Sequence, residues 1–308
     1  MRAMTYDHYG DNSVLALTQQ PDPKVGPGEV RIQVRRASVN PVDWKVMAGG
    51  LDALMDAYFP VIPCWDVAGV VESVGIDTPE FQVGDEVMAN ARKDVLHGGT
   101  CAELVTMSVR GVARRPSSLS WDQAGGLPLA GLTALQTLDR LHLVAGETVL
   151  IHGAAGGVGS LAVQIAHARG ARVIGTASST NHAFLTSLGA DDATDYGDGL
   201  AARVRGLAPG GVDVVADFVG GVLDTTVAVL APGGRHASVA DPAVLGAGGL
   251  WVWVRPDAAG LGELADLADA GHLAVPVARV FPLDQVAEAF TESRTGHVRG
   301  KIVLHVGD

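Results

Sequence analysis

The chain has 308 residues, 47% of them hydrophobic, with 40 glycines and 15 prolines. This composition supports a sizeable buried core in one or two domains joined by many tight connections. A formal charge of −12 leaves no evident basic face and argues against nucleic acid or an anionic membrane as the main partner.

The opening segment MRAMTYDHYG lacks the charged head and apolar run of a secretory signal. No uninterrupted apolar stretch reaches the ~20 residues that cross a bilayer, so a cytoplasmic location is expected. Cys64 and Cys101 are too few for a disulfide framework or a multi-cysteine zinc lobe. They read as small buried thiols.

In chain order, the prolines of PDPKVGPGEV mark an early turn, after which Val30, Ile32 and Val34 alternate with polar neighbours. DVAGVVESVG, DEVMA and CAELVTM are short, β-branched and bounded by Gly, Pro or Asp. A β-rich, partly barrel-like domain is predicted, giving way to helix at RRPSSLSWDQAGGLPLAG. From about residue 121 the texture alternates: TVLIH, SLAVQIAHARG, ARVIGTAS, NHAFLTSLGA, VDVVADFVG. Such alternation predicts a parallel sheet with helices on its faces. In GLWVWVRP, Trp251 and Trp253 alternate with Val252 and Val254, so one strand face is aromatic and the other aliphatic. Leu261, Leu264 and Leu267 take helical spacing, as do Leu283, Val286, Ala287 and Phe290. The last strand, KIVLHV after Gly300, is expected to return to the first domain. The expected boundaries are 1–120, completed by 265–308, and 121–264.

The most chemically informative stretch is AAGGVG, Ala154 to Gly159, with a predicted strand before it and a helix after it. It is a Rossmann-type phosphate turn whose first glycine is replaced by Ala154. Ala155, Gly156, Gly157, Val158 and Gly159 would cradle a pyrophosphate: Gly156 permits backbone approach, Gly159 permits close helix packing, and the helix start offers unpaired N–H groups. The following strand should end near Thr176, where NAD-selective sites carry an acidic residue for the ribose. No Asp or Glu occurs between Gly159 and Asp191. Ser178, Ser179, Asn181 and His182 offer hydrogen-bond donors instead, with Arg169 and Arg172 nearby in sequence. NADP(H) is therefore expected over NAD(H). The competing reading is that these residues only cap the next helix.

Together the motifs resemble the medium-chain dehydrogenase/reductase superfamily, and within it the zinc-independent NADPH:quinone oxidoreductase (zeta-crystallin-like) branch. VNPVDWKVMAGG, FPVIPCWDVAGVVESVG, FQVGDEVMA, LPLAGLTALQTL, VLIHGAAGGVGSLAVQIA, GADDATDY, GGRHASV and GHVRGKIVL occur in the family's order and span nearly the whole chain. The resemblance implies an α/β protein with a GroES-like β-rich domain, a doubly wound parallel-sheet domain and an active site in the cleft between them. It also implies a homodimer paired through the Trp251–Trp253 strand. An internal strand whose aromatic face covers the core is the alternative.

Zinc members of the superfamily carry Cys where this chain has Asn40, and His-Glu where it has Trp65-Asp66. Trp65 cannot be a ligand and Asn40 is a poor one, and the segment NARKDVLHGGTCAEL lacks the four cysteines of a structural zinc site. No metal is expected. By resemblance, Asn40 faces the nicotinamide end, although it could equally hold its loop through Asx-type bonds. Thr133 corresponds to a threonine near the nicotinamide ribose, the alternative being helix packing. Tyr196 corresponds to a tyrosine on the adenosine phosphate side, against an ordinary partly buried tyrosine. Phe218, Val219, Ser238 and Val239 follow apolar strands, where cofactors sit.

Many relatives place a tyrosine shortly after the NPVD segment as a nicotinamide contact or acid. Here none occurs until Tyr58, leaving Asp43, Lys45 and Tyr58 as candidate donors, with Lys45 also reading as a solvated surface charge. Hydride transfer to a quinone needs no protein acid, since water can protonate the product. An α,β-unsaturated carbonyl favours a placed donor. A quinone reductase is the expected activity. An enone or enoyl reductase, and an NADPH-binding crystallin-like protein without catalysis, are the alternatives, and an alcohol dehydrogenase is disfavoured by the missing zinc ligands.

Overall fold

In the computed structural model, which describes residues 1–308, the alternating Val30, Ile32 and Val34 line the buried face of a long strand while Gln33 points to solvent. The chain begins β1 (Arg2–Thr5), β2 (Ala16–Gln19), β3 (Glu29–Val39), α1 (Pro41–Met47), β4 (Asp66–Val74), β5 (Glu86–Asn90), β6 (Leu104–Ser108), β7 (Val112–Arg114), α2 (Trp121–Gly126) and α3 (Pro128–Arg140). β3 pairs antiparallel with β4, and β4 continues through β5 to β7, while β6 takes the first half of β3. Two register shifts interrupt the β3–β4 pairing. Irregularities of this kind bend a strand and increase its twist, as a barrel-like sheet requires.

The second part is β8 (Thr148–His152), α4 (Gly159–Ala168), β9 (Arg172–Thr176), α5 (His182–Ser187), β10 (Asp192–Thr194), α6 (Leu200–Leu207), β11 (Val212–Asp217), α7 (Leu223–Val229), β12 (Leu230–Ser238) and β13 (Leu250–Trp251). Its six strands are parallel, in the order β10-β9-β8-β11-β12-β13. This is a doubly wound sheet: the chain moves outward from β8 on one side, then returns to build the other. The strand order reverses at β8, and the carboxyl end at such a switch point is where ligands bind. Val149, Leu150, Ile151, Val214 and Val215 are fully buried, as both-face coverage of a parallel sheet demands.

The closing segment is α8 (Ala258–Asp269), β14 (Val277–Pro282), α9 (Val286–Arg294) and β15 (Lys301–His305). β15 pairs antiparallel with the second half of β3, so the expected return to the first sheet is observed. Two compact units result: Met1–Leu132 with Arg255–Asp308, and Thr133–Val254. The first unit is larger than the expected 1–120 plus 265–308 because α2 and α8 belong to it. In α2, a Cβ at Gly125 would lie 2.6 Å from Arg36 Cβ, an approach to β3 that only glycine allows.

β13 is the last strand of its sheet, with Val252 buried beside it and Trp251 and Trp253 respectively 41% and 37% exposed. This overturns the reading of an internal strand whose aromatic face covers the core: the aliphatic side faces inward. No helix is long and apolar enough to cross a membrane.

Candidate active site

The glycine turn is tied to the strand beside it. After β8, Gly153 adopts φ +68° and its N–H donates to Thr176 Oγ1 (3.3 Å), while the Ala154 N–H donates to the Thr176 carbonyl (3.1 Å). A Cβ at Gly159 would overlap Gly153 O and lie 2.7 Å from Ala154 Cα, so this glycine lets α4 pack against the turn. A Cβ at Gly156 would meet only Gly153 O, at 3.3 Å, which leaves that backbone open to a ligand. The buried Ala154 methyl, standing where the motif has its first glycine, is accommodated because residue 175 is itself glycine. A Cβ there would lie 3.0 Å from Ala154 Cβ. The amides of Gly157, Val158 and Gly159 donate to no protein acceptor, at the start of a helix. Backbone amides at a helix start suit the phosphates of a dinucleotide, so these residues fit one.

At the end of β9, Ser178 Oγ is bonded to Thr180 Oγ1 (3.0 Å) and accepts from Asn181 Nδ2 (3.1 Å). Neither the 3₁₀ turn Ser179–Asn181 nor α5 receives a side-chain cap, so the capping-only reading of Ser178, Ser179, Asn181 and His182 is overturned. His182 Nε2 lies 3.3 Å from the Ala177 carbonyl. Arg172 pairs with Asp192 (2.7 Å) and Arg169 with Asp139 (2.6 Å), which ties both arginines to partners of their own. Tyr196 is 59% exposed, where an ordinary tyrosine would be partly buried. Its loop is held by Arg203, which donates to the carbonyls of Asp195 and Asp198 (both 2.8 Å). A single arginine on a helix gave no sequence signal for that role.

Asp217, ending β11, organises the next loops. Its Oδ1 accepts from the amides of Val219 and Gly220 (both 2.9 Å) and its Oδ2 from Ser238 Oγ (2.7 Å). Ser238 is buried and anchors the turn after β12 by accepting from the amides of Ala240 and Asp241. Val219 is exposed at this carboxyl edge, while Phe218 and Val239 are half-buried. Thr133 is buried in α3, its carbonyl accepting from Thr137 Oγ1 (2.7 Å). His152 is buried between Thr176 and Thr226; desolvation draws its pKa down to about 4, against the opposing charge of Asp217.

In the first unit, Asn40, Ser38, Asp66 and Lys301 form a closed polar cluster. Asp66 Oδ2 accepts from Ser38 Oγ (2.6 Å) and Asn40 Nδ2 (2.8 Å), and its Oδ1 accepts from the Leu129 amide (2.6 Å). Lys301 Nζ donates to Asn40 Oδ1 (2.5 Å) and the Val39 carbonyl (3.2 Å), and lies 3.7 Å from Asp66. Burial pushes Asp66 up and Lys301 down, and each group's charge opposes the other's shift. Asn40 thus holds its loop with both ends of its amide. Lys301 was missed because one lysine opening an apolar strand reads as a surface charge.

Beside this cluster is a narrow crevice open to the surface, lined by Tyr6, Asp43, Ile62, Cys64, Trp65, Lys93 and His97 among others. Asp43 Oδ2 accepts from the Asn40 amide (2.7 Å), and its Oδ1 has no partner. Desolvation raises the Asp43 pKa to about 8, against the Asn40 hydrogen bond. The buried Tyr6 hydroxyl is also unpartnered. The thiols of Cys64 and Cys101, expected only to be buried, lie 2.8 Å apart. Lys45 is exposed, 5.5 Å above the Trp44 ring, and Tyr58 is exposed too. Of the candidate donors, Asp43 alone is enclosed.

Residues 26–126 match the alcohol dehydrogenase GroES-like domain and residues 188–304 the zinc-binding dehydrogenase model. The chain is 36% identical, over 99% of its length and 79% of the relative's, to an NADPH-dependent alkenal/one oxidoreductase of Arabidopsis thaliana. The chain belongs to the medium-chain dehydrogenase/reductase superfamily, in its quinone oxidoreductase-like branch. Among solved members, the quinone oxidoreductase of Coxiella burnetii superposes with a TM-score of 0.89 at 33% identity, covering 100% of this chain and 99% of that one. The mycobacterial protein Rv1454c complexed with NADPH gives 0.85 at 28% identity, over 99% and 100%. The zinc in the superfamily's domain name is not matched by these residues. Asn40 is bonded at both ends of its amide, Trp65 offers no ligand, and the Lys301 ammonium sits against Asn40. No group of three or more His, Cys, Asp or Glu side chains is placed to hold a metal.

Proposed function

We propose that the chain reduces conjugated carbonyl acceptors, quinones or enones, at the expense of NADPH and without zinc. The observation that carries this reading is the glycine turn at the sheet's switch point, closed on a strand whose own end bears hydroxyls, an amide and an imidazole in place of the ribose-binding carboxylate, the nearest acid being Asp195 beyond β10, 3.5 Å from His182. A carboxylate there would repel a 2′-phosphate; these groups can donate to it. When bound, the cofactor supplies hydride from its nicotinamide. The chain's part is to hold the pyrophosphate on the amides of Gly157, Val158 and Gly159 and to keep the phosphate-side loop ordered through Ser178, Asn181 and Arg203. Phe218, Val219, Ser238 and Val239 shape the carboxyl edge of the sheet, with Thr133 toward the nicotinamide and Tyr196 toward the adenosine side. Relatives named as alkenal/one and quinone oxidoreductases support the acceptor class. The exposed Trp251 and Trp253 on an edge strand support a homodimer formed by sheet extension.

Fluorescence titration should give a Kd for NADPH at least tenfold below that for NADH, and nicotinamide absorbance should fall on addition of quinones or enones. Equal affinities would remove the NADP preference. Tight NADPH binding without turnover on any acceptor would favour the non-catalytic alternative.

A further inference from the structure

We propose that His182 makes the affinity for NADPH, but not for NADH, depend on pH: its imidazole binds the 2′-phosphate only when protonated, so that NADPH binding takes up a proton. The proposal rests on the reading of the chain as an NADPH-dependent reductase and adds a means of regulation to the same cofactor site.

A chain of contacts within the parallel-sheet unit places the ring. Thr176, the last residue of β9, accepts the amides of Gly153 and Ala154 from the glycine turn. The next carbonyl, that of Ala177, lies 3.3 Å from His182 Nε2, and Asp195 Oδ1 lies 3.5 Å from the same nitrogen. The side chain is 30% exposed. The imidazole thus stands, open to solvent, at the carboxyl end of the strand beside β8, where a dinucleotide's adenosine ribose is read.

The two nitrogens have different surroundings. A carbonyl and a carboxylate both accept, which assigns the hydrogen of the neutral ring to Nε2. No protein group bonds to Nδ1. In that neutral tautomer Nδ1 presents a lone pair, which repels a phosphate oxygen. A proton added there makes Nδ1 a donor and gives the ring a positive charge, the combination that forms a charge-assisted hydrogen bond to a phosphate. One N–H bond forms and nothing is oxidised. No other group at this strand end supplies that charge: Ser178, Ser179, Thr180 and Asn181 are neutral, and Arg169 and Arg172 are paired with Asp139 and Asp192.

The charged groups facing the ring come from outside its own helix. α5 and the 3₁₀ turn before it carry no other ionisable side chain. β9 and β10 contribute Arg172 and Asp192, which pair with each other, and the turn after β10 contributes Asp195, whose carbonyl is held by Arg203. Asp195 is therefore the counter-charge that stabilises the imidazolium. Histidine changes charge between about pH 5 and 8, whereas a phosphate monoester loses its second proton near pH ~6. Above neutrality the phosphate is already a dianion, and the titration left to govern binding is that of the ring.

The test titrates the full-length wild type, His182→Gln and His182→Lys with NADPH and NADH by calorimetry, in Hepes and in Tris, whose unequal ionisation heats reveal proton uptake. For the wild type, the NADPH Kd should rise ~10-fold between about pH 7 and pH 9, with uptake of roughly 0.5 to 1 proton per NADPH bound, while the NADH Kd changes less than ~2-fold. His182→Gln should bind NADPH ~10-fold more weakly at about pH 7, with no pH dependence and no proton uptake; its unchanged NADH Kd shows that the fold is kept. His182→Lys, charged up to about pH 10, should restore NADPH affinity and hold it constant across the range. A flat NADPH profile in the wild type, or a pH dependence that persists in His182→Gln, would overturn the assignment while leaving the reductase reading intact. Absence of NADPH binding by the wild type at every pH would overturn that reading and the assignment with it.

Discussion

The two units hold their candidate chemistry in different ways. In the parallel-sheet unit the site is made of backbone: unpaired amides, a positive-φ glycine and a glycine whose missing side chain lets a helix approach. In the barrel-like unit it is made of side chains brought together from positions 6, 38, 40, 43, 66 and 301. A backbone site tolerates changes of side chain but not of shape. A side-chain site tolerates changes of shape at its rim but not the loss of one charged partner.

The sharpest way to break this contrast is at the turn. Gly159→Val places a side chain against Gly153 O and Ala154 Cα, neither of which can yield, so NADPH affinity should fall at least ~100-fold in titration and thermal stability should drop by several kcal/mol. Gly156→Ala, facing open space apart from Gly153 O, should leave the melting temperature nearly unchanged while weakening NADPH. Equal effects of the two would contradict the division of labour between these glycines.

In the other unit, Lys301→Met should destabilise by about 3–5 kcal/mol in urea denaturation, because Asp66 stays buried without its counter-charge. Adding Asp66→Asn should recover part of the loss. A cost below ~1 kcal/mol would show that the cluster tolerates the missing ammonium.

A smaller effect separates the units by pH. His152 has its folded pKa drawn down to about 4 against an ordinary 6.5. The unfolded chain therefore binds the extra proton between those values, and the stability held above pH 6.5 is lost as pH falls toward 4, by about 3 kcal/mol. His152→Gln should lack that component, so its deficit relative to the wild type narrows on acidification. A constant deficit from pH 7.5 to 4 would count against a neutral buried imidazole. The smallest change is at the phosphate-side loop. Ser178→Asp should weaken NADPH about tenfold, or ~1.4 kcal/mol, with little effect on NADH. Loss of both coenzymes alike would place Ser178 away from the 2′-phosphate.

What was legible in the sequence follows the same division. The order of strands and helices around AAGGVG could be read because a backbone site leaves its mark in consecutive residues: apolar strand, glycines, helix. The absence of a carboxylate before Asp191 was equally visible. By contrast, Tyr6, Lys301 and the Cys64–Cys101 approach depend on pairings across 37 to 261 residues, and no local spacing encodes them. Tyr6 stands in an opening segment that carries no motif, and Lys301 is one lysine at the start of an apolar strand. Asn40 could be read in two ways because an asparagine at the start of a helix serves loops and ligands alike; both ends of its amide hold the loop. The Trp251 and Trp253 alternation gave the period but not the direction, since only the position of β13 at the sheet edge decides which face meets water.

The pairing of β15 with β3 has a consequence for biosynthesis. The parallel-sheet unit is one continuous segment and has all of its strands once residue 254 has left the ribosome. The unit that surrounds it in sequence starts earlier and finishes later: its sheet stays open, and Asp66 lacks its cation, until β15 emerges. During translation the inserted unit can therefore mature before its host, and the Lys301 ammonium acts as the clasp on a sheet begun with β3.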